Sequence, residues 1–248
     1  MTLTTWKEDY FITSLLVNPS GHLGLFGLLN LIQETAWMHA EKLGFGMREM
    51  EQEGLYWVLT RQKIKMLSWP PLGERITLKT WLVAPEGAFI TREFMVTDAR
   101  GTEIGSCSTS WLALHRDSRK IIAPLELRDW QNLIEPQRTD VITEKISVAG
   151  DFDPLAKFRV RNSDLDINQH VNNTKYAQWI LDSIPYELHR TLRLKTYSVN
   201  FLAETRLGDK VRVEKQLPHL PGEAVYRGVR LEDNKTLFAA RLEWEKKI

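Results

Sequence analysis

Cysteine is nearly missing: Cys107 is the one thiol in 248 residues. A single thiol cannot build a disulfide framework or a multi-cysteine zinc site. Neither sign of charge is in excess, with 33 Lys and Arg against 32 Asp and Glu. That balance excludes a nucleic-acid binder held by phosphate neutralisation and a disordered acidic tail. Long apolar runs are also lacking. Tyr10 to Gln33 carries no Lys, Arg, Asp or Glu, but Asn18-Pro19-Ser20-Gly21-His22 interrupts it with turn chemistry. The run that follows, Leu23 to Ile32, is too short to cross a bilayer, so no membrane partner is expected. The first residues hold Glu8 and Asp9 and no basic stretch leading into an apolar one. Neither a signal nor a transit peptide is expected there, and the cytoplasm is the expected compartment.

What is present is enough apolar material, 43% of residues, for a sizeable core. It is arranged twice. Ile64 to Leu78 aligns with Val199 to Val213 at an offset of 135, with Leu67/Leu202, Leu72/Leu207 and Gly73/Gly208 identical. Ile64/Val199, Met66/Phe201, Ile76/Val211 and Leu78/Val213 keep their character, and Trp111 answers Trp244 further on. Fixed-offset similarity of this kind marks two copies of one structural unit.

Each copy reads as an apolar helix followed by strands. Leu28, Leu29, Ile32 and Ala36 have helical spacing, predicting a helix from Leu25 to about Leu43 that Gly44 and Gly46 end. In the second copy the helix runs from Val171 to about Ile184, stopped by Pro185. Strands are predicted near 55–68, 74–84, 88–99 and 103–116, and again near 192–204, 209–217, 223–233 and 236–246. Phe238, Ala240, Leu242 and Trp244 alternate with Arg241, Glu243 and Glu245, the pattern of a half-buried antiparallel strand. A helix leading such a meander buries its apolar stripe on the sheet, which gives an α+β fold. The charged, proline-punctuated stretch after Arg116 reads as a linker, with a short helix around Leu125–Leu133.

The second helix is preceded by Ser163-Asp-Leu-Asp-Ile-Asn-Gln-His170, then Val171-Asn-Asn-Thr-Lys-Tyr176. Asp164, Asp166, Asn168, Asn172 and Asn173 are cap and turn formers. His170 lies at the helix entrance, where backbone amides lack internal partners and could bind the oxyanion of an attacked carbonyl. The first copy offers Gly21-His-Leu-Gly-Leu-Phe26 in place of Asn168-Gln-His-Val-Asn-Asn173, and Trp69 in place of Glu204.

The run DLDINQHVNNTKYAQWILDSIP resembles the signature of the acyl-acyl carrier protein thioesterases, and GLLNLIQETAWMHAEKLG with WVLTRQKIKM resembles that family's N-terminal half. The resemblance implies two tandem hotdog folds, an acyl-loaded carrier protein as partner and substrate, and thioester hydrolysis without metal or organic cofactor. It carries catalytic roles onto Asp166, Asn168 and His170, and onto Glu204 at a strand end. Plant members follow that Glu with Cys; this chain has Thr205. Residues 1–130 are then a first hotdog unit shaping an acyl pocket, 131–156 a linker, and 157–248 the catalytic unit. A tandem pair already contains what single hotdogs gain by dimerising, so a monomer or homodimer is expected.

Thioester cleavage releases a thiol of pKa about 8.5, so it needs a polarised water and an oxyanion site more than acid assistance. Glu204 with His170 or Asn168 would orient and deprotonate the water, and Asp166 would hold Asn168 or His170 in place. The alternatives are an acyl-CoA thioesterase, a hotdog dehydratase or an acyl-binding module without catalysis. Seven Lys and Arg against four acids in residues 186–215 would steer an acidic carrier. Asp166 also reads as a plain cap, Glu204 as a strand-end carboxylate, and Cys107 as a small core residue. Asp164-x-Asp166-x-Asn168 imitates a calcium loop, but Gln169 and Lys175 replace its glycine and closing Glu. His39 and Glu41 lack zinc-helix spacing.

Overall fold

The computed structural model describes residues 4–127, 130–218 and 222–247. The chain divides into two units, Met1–Thr143 and Glu144–Ile248. In the first, β1 (Thr5–Phe11) leads to α1 (Leu25–Lys42), α2 (Met47–Gln52), β2 (Leu55–Met66), β3 (Arg75–Glu86), β4 (Phe89–Asp98) and β5 (Glu103–His115). A short β6 (Ile121–Ile122) pairs with β5, and α3 (Pro124–Leu127) follows. The sheet is antiparallel in the order β1-β3-β4-β5-β2.

The α1 helix forms where Leu25, Leu28, Leu29, Ile32 and Ala36 line one buried face, each large aliphatic contributing about 1.5–3 kcal/mol on burial. Gly27 lets it start hard against the preceding loop, because a Cβ there would sit 2.4 Å from the Leu16 carbonyl oxygen. Gly44, at φ 72°, ends it. Two polar ties hold α1 to the sheet: Tyr10 to Thr35 through their hydroxyls (2.9 Å), and the buried Arg92 guanidinium donating to His39 Nδ1 (2.7 Å). Burial without a carboxylate pulls Arg92 down to about 9.

The second unit runs β7 (Phe152–Arg159), a 3-10 turn (Asn162–Asp164), α4 (Asn173–Asp182), α5 (Tyr186–Thr191), β8 (Leu192–Phe201), β9 (Lys210–Gln216), β10 (Glu223–Arg230) and β11 (Thr236–Lys246). Its sheet order, β7-β9-β10-β11-β8, matches the first strand for strand. On α4, Tyr176 meets Phe201 and Phe238 edge-on, and Trp179 stacks on Phe158 of β7. Each unit is therefore a helix laid on an antiparallel meander, the hotdog fold, and the chain is α+β. No helix among the described residues is long and apolar enough to cross a membrane.

The repeat extends to individual bonds. Leu67 and Ser68 donate to the Ile104 carbonyl, and Leu202 and Ala203 donate to Leu237. The amides of Leu23 and Val171 reach the carbonyls of Pro70 and Thr205 at 2.8 and 2.9 Å.

Several expectations are corrected. Residues 131–156 do not form a free linker. Thr139 bonds the Glu93 carboxylate, Gln137 accepts from the Trp81 indole (2.7 Å), and Ser110 meets Thr143 (2.7 Å). Asn200 accepts from the Ile146 amide (2.8 Å), and Phe152–Arg159 is a strand. An extended strap that satisfies polar side chains has no periodicity of its own to read. This covering also buries β11 on both faces from Leu237 to Ala240, with Ala239 packed on Ile146 and Val225. The helix expected at Leu125–Leu133 is seen at Pro124–Leu127; 128 and 129 lie outside the described residues. The α4 helix is shorter than expected, because Asn172 caps it and Pro185 opens α5.

Candidate active site

Asp166 builds the turn that carries His170. Its amide donates to the His170 carbonyl (2.8 Å), and its Oδ1 accepts the amides of Asn168 (2.8 Å) and His170 (3.3 Å). Gln169 sits at φ 62°, in the left-handed region that such a turn requires. Asn172 then caps α4, its Oδ1 accepting from the Thr174 amide at 2.9 Å. Density of Asx residues here is local folding chemistry, and its product is an imidazole fixed at a helix entrance.

Glu204 arrives from beyond the end of β8. The Val171 amide donates to the Thr205 carbonyl (2.9 Å), drawing that segment against the His170 turn. His170 Nε2 and Glu204 Oε2 lie 3.3 Å apart, and Arg206 Nη2 is also 3.3 Å from that oxygen. The two side chains are 25% and 39% exposed, so water reaches the pair and screening weakens it as an ion pair. Of the four expected site residues, His170 and Glu204 touch through side chains and Asp166 acts through backbone amides. The Asn168 side chain stands exposed on the same turn.

Tyr176 escaped the sequence reading of the site, and Thr205 entered it only as the residue standing where plant members have Cys. The Tyr176 hydroxyl donates to Thr205 Oγ1 at 3.0 Å, and both residues are buried. Burial is the main cause that pushes the Tyr176 phenol up to about 12, keeping it a donor. A tyrosine on the apolar stripe of a helix reads as core, so its polar end gave no signal.

The oxyanion expectation narrows. From 168 to 175, the amides of Asn168 and His170 serve Asp166, Gln169 the Asp166 carbonyl, Val171 Thr205, Asn172 Asp164, and Thr174 and Lys175 Asn172. Among the described residues, Asn173 is the position in that run whose amide has no hydrogen bond.

The first unit contains the same turn, in a register one residue away from the sequence comparison. Asn18 donates to the His22 carbonyl (2.8 Å), and its Oδ1 accepts the amides of Ser20 (3.0 Å) and His22 (3.4 Å). His22, not Gly21 or Leu23, therefore corresponds to His170, and Asn18 to Asp166. What the first unit lacks is the carboxylate, since Trp69 holds the place of Glu204.

Among the described residues, no three His, Cys, Asp or Glu side chains gather as a metal site. Cys107 is fully buried, which pushes its thiol up and leaves it inert. Of the seven cations in 186–215, Arg193 faces Glu245, Arg206 faces Glu204 and Arg212 faces Glu214.

The acyl-ACP thioesterase N-terminal domain matches residues 4–126, and the acyl-ACP thioesterase C-terminal domain matches residues 151–246. The chain belongs to the acyl-ACP thioesterase family. Relatives in that family include the chloroplastic acyl-[acyl-carrier-protein] hydrolase FATB3 of Cuphea viscosissima, 28% identical over 98% of this chain. The oleoyl-acyl carrier protein thioesterase 2 of Arabidopsis thaliana, also chloroplastic, is 27% identical over 84%. The chain spans 63% and 61% of the length of these two relatives. An acyl-ACP thioesterase structure from Bacteroides thetaiotaomicron superposes with a TM-score of 0.89 at 24% identity, covering 98% of both chains. The 12:0-ACP thioesterase from Umbellularia californica gives 0.85 at 22%, again covering 98% of both. These likenesses hold over both hotdog units of the chain.

Proposed function

We propose that the protein hydrolyses fatty acyl thioesters carried on acyl carrier protein, releasing fatty acid and free carrier in fatty acid biosynthesis. The observation that carries this reading is the 3.3 Å contact of His170 Nε2 with Glu204 Oε2 at a solvent-reached helix entrance, in a chain of the acyl-ACP thioesterase family.

The chemistry follows from that contact. A carboxylate and an imidazole within hydrogen-bond reach can pass a proton between them, so the pair takes the proton drawn from an attacking water. The half-exposed edge of the pair admits the water. The exposed Asn168 carboxamide hydrogen-bonds it, and the Asn173 amide is the donor left for the carbonyl oxygen as charge develops. Asp166 holds the turn in register by taking two amides on one oxygen. Collapse of the tetrahedral intermediate expels the carrier's thiolate, which the pair reprotonates. The first unit, whose turn lacks a carboxylate, is assigned to the acyl chain.

The test is release of free thiol from acyl-ACP and acyl-CoA of several chain lengths. Faster turnover on the carrier substrate supports the reading; preference for CoA removes the carrier, and no thiol release removes the hydrolase. Hydration of an enoyl thioester without thiol release would establish the dehydratase alternative instead.

A further inference from the structure

We propose that Tyr176 and Thr205 are positioning residues for this reaction: the Tyr176 hydroxyl, seated on Thr205, fixes Glu204 against His170. The proposal rests on the hydrolase reading and joins Tyr176, inside the motif, to Thr205, outside it, by a bond that the sequence does not show.

Glu204 stands in the irregular stretch between β8 and β9, half exposed. On its N-terminal side the chain is tied by the amides of Leu202 and Ala203 to the Leu237 carbonyl. On its C-terminal side the adjacent residue, Thr205, has two ties: its carbonyl takes the Val171 amide, and its buried hydroxyl takes the Tyr176 phenol at 3.0 Å. The phenol itself has little freedom. Its ring is wedged edge-on against Trp179, Phe201 and Phe238, with centroids 5.4, 5.5 and 5.2 Å away. Tyr176 lies on α4 and His170 at that helix's entrance, so one rigid element sets both partners of the 3.3 Å contact.

The first unit shows that folding does not require this bond. There the same backbone tie, Leu23 amide to Pro70 carbonyl at 2.8 Å, is made with Leu28 where the second unit has Tyr176. Leu28 and Pro70 are both buried and have no hydroxyl to share. The hydroxyl pair occurs in the unit that has the carboxylate, and an apolar pair in the unit where Trp69 replaces it. A buried phenol costs stability unless bonded, so it is not a neutral ornament of the core.

Four variants test this: Tyr176→Phe, Thr205→Val, their combination, and Thr205→Ser. Steady-state turnover of acyl-ACP and the melting temperature are measured for each. Each single change lowers kcat about 10-fold, as displacement of a catalytic carboxylate does, with KM moving less than about 2-fold. The double variant is no slower than the worse single, since the pair is one device, and Thr205→Ser, which keeps the hydroxyl, stays near wild type. Unchanged kcat with a lowered melting temperature, additive losses, or a Thr205→Ser as poor as Thr205→Val would overturn the proposal. If the wild type releases no thiol, the hydrolase reading fails by itself. The ring resonances of His170 then decide the positioning: they shift in Tyr176→Phe and Thr205→Val and not in Thr205→Ser, and no shift in any variant overturns it.

Discussion

His22 and His170 close the same turn, one in each unit: the carbonyl of each accepts the amide of the residue four before it, Asn18 or Asp166, at 2.8 Å. The residue before each histidine is left-handed, Gly21 at φ 76° and Gln169 at φ 62°. The turn is thus a feature of the fold, and what separates the units is the partner offered to the imidazole. His170 meets Glu204, while the first unit has Trp69 at the sequence position that corresponds to Glu204. His22→Ala is therefore expected to leave turnover within about 2-fold of wild type. His170→Ala should lower kcat by about 10²–10⁴, the range for losing a general acid–base group. Parallel kinetics on the two variants check this, and equal losses would place chemistry in both units.

Glu204 and His170 share one proton in the proposed step, so their removal should not be additive. Glu204→Ala alone is expected to lower kcat by about 10²–10⁴, and adding His170→Ala should deepen that loss by less than about 10-fold. A double variant slower by the product of the two losses would mean that the residues act in separate steps. Folding is controlled by melting temperature, which should change little because both side chains are partly exposed.

The long helices and the strands β2 to β5 and β8 to β11 were legible because their apolar spacing is regular. The strands β1 and β7 were not. TWKEDYF of β1 carries Lys7, Glu8 and Asp9 through its middle, and β7 contains Pro154. A proline is tolerated there because β7 is an edge strand whose register slips between Pro154 and Ala156. At the site, the sequence names Asp166, Asn168 and His170 through the motif and Glu204 through the family resemblance, and the fold brings His170 and Glu204 into contact. Tyr176–Thr205 and Arg92–His39 were not, since each looks like an ordinary core position until the fold brings its partner across. The likeness of His22 to His170 was missed because a one-residue shift hides it and only backbone bonds fix the register.

Asp166 holds its turn with one oxygen, and Asn18 does the same work in the first unit with a carboxamide oxygen. Asp166→Asn keeps that acceptor and is expected to stay within about 0.5 kcal/mol of wild-type stability while retaining most turnover. Asp166→Ala leaves two amides without it and should cost about 1 kcal/mol, with kcat falling as His170 loses its register. Denaturant unfolding and steady-state kinetics on both variants check the pair of outcomes. A strong loss of kcat in Asp166→Asn at unchanged stability would show that the negative charge itself takes part in the reaction.

Glu93 lies buried in the first unit, taking the Ser108 hydroxyl (3.0 Å) on one oxygen and Thr139 on the other. Burial is the largest influence on it and pushes its carboxyl above the usual carboxylate range, with those hydrogen bonds pulling the other way. A raised value in the folded state means that the native protein binds the proton more tightly than the unfolded chain. Between the ordinary carboxylate pKa and the raised one, the folded state holds more protons, so stability falls as pH rises through that window and stays lower above it. Glu93→Gln removes the titration while still offering one acceptor and one donor to Ser108 and Thr139. The variant is therefore expected to be more stable than wild type at pH 7–8, with the difference shrinking as pH falls toward the unfolded carboxylate value. Melting temperatures of both proteins across pH 4–8 read this directly; a variant less stable than wild type at pH 8 would show that the hydrogen bonds to the ionised form outweigh its burial.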